Sequence, residues 1–478
     1  MPSPLAPKPR CRPRGGGLWY HGVPGAGRGP AHCTEPTQHL QTPAPRCIAT
    51  EGPPLDAWIE RLRRIGLDVT ALALFSAPAG VSVGLGLVVL AFLLRLLRRP
   101  GWPLSGAVVL AVVFALYALV RGLFADYPGG SPGVRFEAAA QWAQLLVLVP
   151  VAYLLAGDQR RLLRLLGLAL VGLVIGALWR LEWDLLLADP AAFLDSRPGF
   201  GFPANVFALF SGTVLIGLVT LRRRCWHAGG PPALRRALWW LVALLVAQGF
   251  LLTLSRGAWL ALALTAAVGL LAVMRRSGWR PSPRLLLVLA AACLAVLVVY
   301  AGPMAERFAA EWETVHGMIT GEIEYAADSS LSQRWHAQRF GLAAWVQHPW
   351  LGWGPGAARA LLAASDDPAV MLIGYGPMEH LHNTYLEVLV QLGLLGLVLW
   401  LGLFVLLLRG VLQACAAGRI DFDVAGFLGL ALLYLMLWNL FDFHAMHQSW
   451  RAFWALLAGG ALSVGLCAGR AAGGRGDD

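Results

Sequence analysis

The sequence predicts an all-α fold: a polytopic transmembrane helical bundle of about twelve spans, with one large outward loop between late helices. Three observations predict it. Of the 478 residues, 57% are apolar and 14% are charged, against about 25% charged in soluble domains. Apolar stretches near 20 residues long recur from Ile65 to Cys467, the length that crosses a hydrocarbon core of about 30 Å. The arginines crowd every second connection, as the positive-inside rule expects of loops that stay in the cytoplasm. Together these exclude a disordered chain, a collagen-like fibre and an ordinary cytosolic enzyme.

Residues 1–55 are unlike the rest. They hold 12 of the 30 prolines and the single lysine, Lys8. With no apolar h-region they do not read as a signal peptide. We expect a disordered or mistranslated tail there, and only its charge would suit nucleic acid. Lysine appearing once, in that tail, excludes a Walker A loop or a catalytic lysine in the membrane body. The seven cysteines include Cys11, Cys33 and Cys47 in the tail. They form no CxxC or zinc spacing, so no disulfide framework is expected.

N-terminal transmembrane helices are expected over 56–302, starting with Ile65–Leu97. That stretch is too long for one span and contains Pro78, Gly80, Gly84 and Gly86, so it reads as a hairpin of two spans. Single spans follow at Leu104–Leu123, Ala138–Ala156, Leu162–Leu178, Val206–Leu221, Ala237–Leu254, Ala258–Val273 and Leu285–Gly302. The large loop occupies 303–383. C-terminal helices over 384–468 comprise Thr384–Leu408, Val424–Leu440 and Ala452–Cys467, and 469–478 is a tail. Placing Arg95, Arg98 and Arg99 inside puts Arg160, Arg161, Arg164, Arg222–Arg224, Arg275, Arg276, Arg409 and Arg419 inside too, with both termini cytoplasmic.

The candidate chemistry lies on the other side. Arg256, in Ser255-Arg-Gly-Ala-Trp259, breaks the inside pattern at an outer turn, where a charge is expensive unless it binds something. Arg334, in Ser332-Gln-Arg334, sits at the start of a helix in the large loop. His348-Pro-Trp-Leu-Gly-Trp-Gly-Pro-Gly356 forces a compact non-helical turn. His382, beside Asn383, stands at the mouth of a span, where a helix amino terminus favours anions and a histidine can act as base or phosphate ligand. On a helix, His380 and His382 would face different ways, and zinc pairs want i, i+4, so no metal is expected. Asp442-Phe-His-Ala-Met-His447 reads as an interfacial loop. Asp421-Phe-Asp423 has a DxD form but receives no role.

Taken together, the motifs Ser255–Trp259, Ser332–Arg334, His348–Gly356, His382-Asn-Thr-Tyr-Leu386 and Gln391-Leu-Gly-Leu-Leu-Gly396 resemble the O-antigen ligase/polymerase superfamily. The resemblance is strong over Leu234–Leu408 and weaker over Ile65–Leu221. It implies a bacterial inner-membrane glycosyltransferase with twelve helices and a large periplasmic loop. It implies transfer of a glycan from undecaprenyl pyrophosphate to an acceptor hydroxyl by inverting displacement, without metal or other cofactor. The resemblance gives Arg256 and Arg334 the pyrophosphate and gives His382 the phosphate or the acceptor proton. Arg197, Arg180, Gly354, Gly356 and Asn383 follow as substrate-binding or site-shaping residues. The expected partners are the lipid-linked donor, a lipid A–core or other glycan acceptor and the bilayer, with no nucleic acid.

The acceptor separates the readings: lipid A–core sugar for a ligase, a second lipid-linked repeat for a polymerase, a protein Ser or Thr for an O-oligosaccharyltransferase. The short last outer loop, Phe441–Ser449, counts against the third. A non-catalytic transporter would need charged residues at mid-membrane, and the spans are nearly free of them. The topology is checked by reporter fusions active only in the periplasm. A fusion at Asp366 is expected to be active and one at Gly229 inactive, and the reverse pattern contradicts the map.

Overall fold

In a computed structural model, the described residues are 54–473, apart from 99–100, 102–103, 228–230, 322–329, 368–369 and 373–375. Residues 1–53, with Lys8 and the first three cysteines, and 474–478 lie outside them, as do the side chains of Cys293 and Cys467.

The described residues are helical almost throughout. The helices are α1 (Pro54–Ala73), α2 (Pro78–Arg98), α3 (Gly106–Phe124), α4 (Pro132–Ala143), α5 (Leu148–Leu155), α6 (Gln159–Trp179), α7 (Trp183–Ala188), α8 (Pro190–Asp195), α9 (Ala204–Thr220) and α10 (Arg222–His227). They continue with α11 (Pro232–Leu252), α12 (Arg256–Ser277), α13 (Pro283–Val299), α14 (Ala301–Thr320), α15 (Ser330–Gln347), α16 (Ala357–Ala363), α17 (Thr384–Ala416), α18 (Phe422–Trp438) and α19 (Gln448–Gly473). Among the described residues the strands are two-residue pieces, Met371–Leu372 pairing antiparallel with Gly376–Pro377. Among the described residues, seven segments are long and apolar enough to cross a membrane: α2, α3, Pro132–Leu155, α6, α11, α12 and α17. The apolar helices α9 and α18 are shorter. The protein is a multi-pass membrane protein.

Local chemistry explains the boundaries. Ser105 and Ser131 accept the amides of Val108 and Val134 as N-caps of α3 and α4, and Asp158 does the same for α6. The long first apolar stretch is indeed two helices, α1 and α2. They pack so closely that a Cβ on Gly84 would run into the Thr70 backbone. The stretch expected as one span at Ala138–Ala156 is interrupted by a 3₁₀ turn, Gln144–Val147, between α4 and α5. The segment expected as a loop from Pro303 is itself helical: α14 runs on almost directly from α13, and α15 follows. The DxD residues serve structure, for Arg224 donates to Asp423 at 2.5 Å and also pairs with Asp421.

Helix α17 organises the bundle and packs on α3, α15, α16, α18 and α19. Its own Trp400 and, from other elements, Trp142, Trp438, Trp450 and Trp454 are all fully buried. It is broken at Gly393 (φ 66°, ψ −171°), a conformation open essentially to glycine alone. The break strips the surrounding peptides of helical partners, and the Pro/Gly loop supplies new ones. The amides of Trp353 and Gly354 donate to the carbonyls of Val390 (2.8 Å) and Gln391 (2.9 Å). In return the amides of Leu394 and Leu395 donate to Pro349 (2.9 Å) and Trp350 (3.2 Å). From α3, Tyr117 donates to the Leu392 carbonyl at 2.7 Å, and Arg121 holds those of Leu351 and Gly352 at 3.2 and 2.8 Å. Glycine is required at Gly352 (φ 66°), which lies against the Gln391–Gly393 backbone.

Candidate functional site

The amino end of α17 is sewn to the α18–α19 loop. Thr384 donates its amide to the Asn439 carbonyl (2.9 Å) and its hydroxyl to the Asp442 carbonyl (2.7 Å). Asn383 caps α17 by accepting the Leu386 amide at 3.1 Å. His382, just before the cap, takes a left-handed conformation, φ 52°. Its Nδ1 lies 3.8 Å from an Asp442 carboxylate oxygen, and the rings of His380 and His382 are 4.1 Å apart. Phe443 tethers this corner to the core, with its ring 6.2 Å from that of Trp142.

Asp442 is buried, which alone would raise its pKa. The neighbouring His382 and His380 and the Phe443 amide, which donates to it at 2.8 Å, instead hold it well below the usual carboxylate range. It is therefore a buried anion beside His382 in the α18–α19 loop. His380 is pushed down to about 4, mainly by burial and then by the charge of His382. His444 is pushed down to about 3 by burial and by His447, whose ring stacks on it at 3.8 Å.

Two arginines approach this cluster. Arg256 is the first residue of α12, and its two terminal nitrogens meet the two carboxylate oxygens of Glu311 from α14. Arg334 projects from α15, and burial lowers its pKa; Asp442 and Glu311 oppose that shift while Arg256 adds to it. Those couplings place Arg334 among Asp442, Glu311 and Arg256. Its Nε is buried with no hydrogen-bond partner among the described residues. The structure thus brings Arg256, Arg334, His382 and Asn383 to one corner and adds Asp442 and Glu311.

The other candidates make contacts of their own. Arg180 donates to the carbonyls of Phe75 (3.3 Å) and Ser76 (2.8 Å) at the end of α1 and lies over the Phe202 ring. Arg197, left-handed at φ 53°, donates to the Thr253 carbonyl at 3.1 Å, three residues before Arg256. Gly354 (φ 128°) and Gly356 (φ 84°) lie in the loop that clamps α17, close to Tyr127. Tyr127 in turn donates to the Pro355 carbonyl at 2.6 Å. The far side of that loop forms an open cleft of about 410 Å³ with Arg121, Phe124 and Trp350, and His382 and the two clustered arginines do not line it.

The argument against a metal assumed that His380 and His382 sit on a helix. They do not, and ligand atoms of His380, His382 and Asp442 lie within 4.8 Å of one another. The geometry would admit a cation. Of the two arginines beside it, Arg334 has a buried Nε with no acceptor among the described residues, which suits an anion.

Residues 241–401, about a third of the chain, match the family model described as O-antigen ligase. Over this segment the protein is similar to the O-antigen ligase superfamily. The family is one of O-antigen ligase/polymerase-like glycan transferases. No curated protein matches the chain. The ligase segment contains Arg256, Glu311, Arg334, His382 and Asn383, while Asp442 lies beyond it.

Sequence reasoning missed Asp442 and Glu311. Each is tied to its partner across 55 or more residues, Arg256 to Glu311 and His382 to Asp442, and no local pattern marks such a link. The buried histidines predict acid sensitivity. In the unfolded chain His380 and His444 take up protons near pH 6.5, whereas folded they stay neutral down to about 4 and about 3. Between those values the unfolded state binds more protons, so stability falls as pH falls, by up to about 1.4 kcal/mol per unit per histidine. Asp442 acts in the same sense at lower pH: its depressed pKa stabilises above the unfolded value and is lost on acidification. Unfolding midpoints in detergent between pH 7 and 4.5 should drop, with a shallower slope in His444→Gln, and an equal slope contradicts this.

Proposed function

We propose that the protein transfers a glycan from undecaprenyl pyrophosphate to an acceptor hydroxyl, most simply a sugar of lipid A–core, at the periplasmic face of a bacterial inner membrane. The observation that carries the reading is the half-buried guanidinium of Arg334, its buried Nε unpartnered among the described residues, beside Arg256 and the His382–Asp442 pair. In this reading the chain spans the membrane twelve times, with both ends in the cytoplasm and α14–α16 on the periplasmic side.

The chemistry needs positive charge where the leaving group departs. As the bond from the anomeric carbon to the phosphate oxygen breaks, charge grows on the pyrophosphate, and preorganised cations there lower the barrier. Arginine stays charged even when desolvated and grips phosphate oxygens through a planar fork. Arg334 takes the phosphate directly, and Arg256 joins it as the anion takes over from Glu311. Asp442 faces Nδ1 of His382 and favours the tautomer with its proton there, leaving Nε2 free. Nε2 accepts the acceptor hydroxyl proton as the new oxygen–carbon bond forms, and one displacement inverts the anomeric centre. No step requires a nucleotide or a metal.

A polymerase or a protein O-oligosaccharyltransferase would share this donor chemistry and differ in acceptor. In a purified reconstitution with lipid-linked glycan and lipid A–core, His382→Ala and Arg334→Ala should each slow transfer by about 10²- to 10³-fold. Arg334→Lys should not restore it, since an ammonium lacks the fork. Intact transfer in His382→Ala and Arg334→Ala would sink the assignment, and transfer only to a lipid-linked repeat or a peptide would move it to one of the other two classes.

A further inference from the structure

Glu387 is a carboxylate inside the protein, 1% exposed, in the first turn of α17. Both its oxygens act as acceptors. The Leu381 amide donates to Oε1 at 2.8 Å, and Gln391 Nε2 donates to Oε2 at 2.7 Å. The sense of the second bond is fixed by what else Gln391 touches. Its Oε1 already receives Trp142 Nε1 and the Gly356 amide, each at 2.9 Å, and both of those can only donate. Gln391 must therefore present its own hydrogens to Glu387.

We propose that Glu387 is a positioning residue for His382. It holds the Leu381 amide, sets the left-handed turn that aims the imidazole, and through Gln391 ties that turn to the His348–Gly356 loop. The inference rests on the reading that His382 takes the acceptor proton.

Four observations support it. A non-glycine residue at positive φ persists only where its surroundings over-determine it, and His382 has φ 52°. Its neighbours are pinned on both sides: Leu381 by Glu387 before it, Asn383 by its cap on Leu386 after it. Leu381 is also wholly buried and fills the space left by Gly341 of α15, so its backbone cannot swing away to find another acceptor. Finally, His382 Nδ1 lies 3.8 Å from Asp442 and makes no hydrogen bond among the described residues, so the aim of the imidazole depends on the backbone turn.

Glu387→Gln tests this with no change in size. An amide offers one oxygen, but two donors face the position, so one contact must break. The full-length protein would be assayed in liposomes with lipid-linked glycan, comparing native, Glu387→Gln, His382→Ala and the double variant. We expect Glu387→Gln to lower kcat by about 10- to 100-fold, the scale of a misplacement near 1 Å. The donor KM should stay within about twofold, because the arginines that bind the donor are untouched. The double variant should be no slower than His382→Ala alone, since a residue that acts through His382 has nothing left to act on. An unchanged kcat, or a double variant slower than His382→Ala by the full single factor, overturns the proposal. If His382→Ala alone turns over like the native protein, the base assignment has failed instead, and that arm shows it separately. Should Glu387→Gln not accumulate, Glu387→Asp keeps two acceptor oxygens but withdraws them by one bond. The same split between kcat and KM is expected there at smaller size, and an unaltered kcat overturns the idea.

Discussion

The site depends on how a broken helix is held. An α-helix that stops hydrogen-bonding to itself inside a membrane protein leaves peptide groups without partners, and each unmet group costs several kcal/mol in apolar surroundings, on the order of a whole protein's margin. Helix α17 breaks at Gly393, and the Pro349–Gly354 backbone and Tyr117 answer the exposed groups. That obligation fixes the loop against the helix. The helix is fixed in turn at its amino end by Thr384 on the Asn439 and Asp442 carbonyls. His382 and Asp442, far apart in sequence, meet because both are tied to that end.

Charge builds on this frame. A desolvated guanidinium is unfavourable unless something opposes it. Arg256 is matched by Glu311, an internal carboxylate that can hold the fork until another anion replaces it. Arg334 has Asp442 and Glu311 in electrostatic reach, but its Nε has no acceptor among the described residues. A guanidinium with an unmet Nε, next to a histidine that faces an anion, is the arrangement a pyrophosphate leaving group calls for.

Much of this was legible in the sequence. Apolar length, arginine asymmetry and the Pro78/Gly80 interruption mark the α1–α2 hairpin and the helices that follow, because burial in lipid imposes composition directly. Arg256, Arg334 and His382 stood out as polar residues where apolar ones are cheaper, and the structure gathers them. The rest was hidden for physical reasons. Gln391-Leu-Gly393 reads as ordinary helix, since only the positive φ of Gly393 reveals the break. Asp442 looked like one more loop residue because its role is created by a tertiary contact. The adjacent spacing of His380 and His382 misled, since it was read on a helix that begins only at Thr384. Arg180 carried the same outward signal as Arg256, yet its guanidinium closes the end of α1.

Glycan transfer on this scaffold is a matter of placing charge before reaction, and the claim at its centre is that Arg334 and Arg256 bind the donor's phosphates. The most direct measurement is the structure of the full-length protein with undecaprenyl pyrophosphate bound. The account predicts phosphate oxygens within about 3 Å of the guanidinium nitrogens of Arg334 and Arg256, the distance of a charge-assisted hydrogen bond, with Glu311 displaced from Arg256. Lipid pyrophosphate bound elsewhere, with the Arg256–Glu311 pair intact and Arg334 still empty-handed, would contradict it.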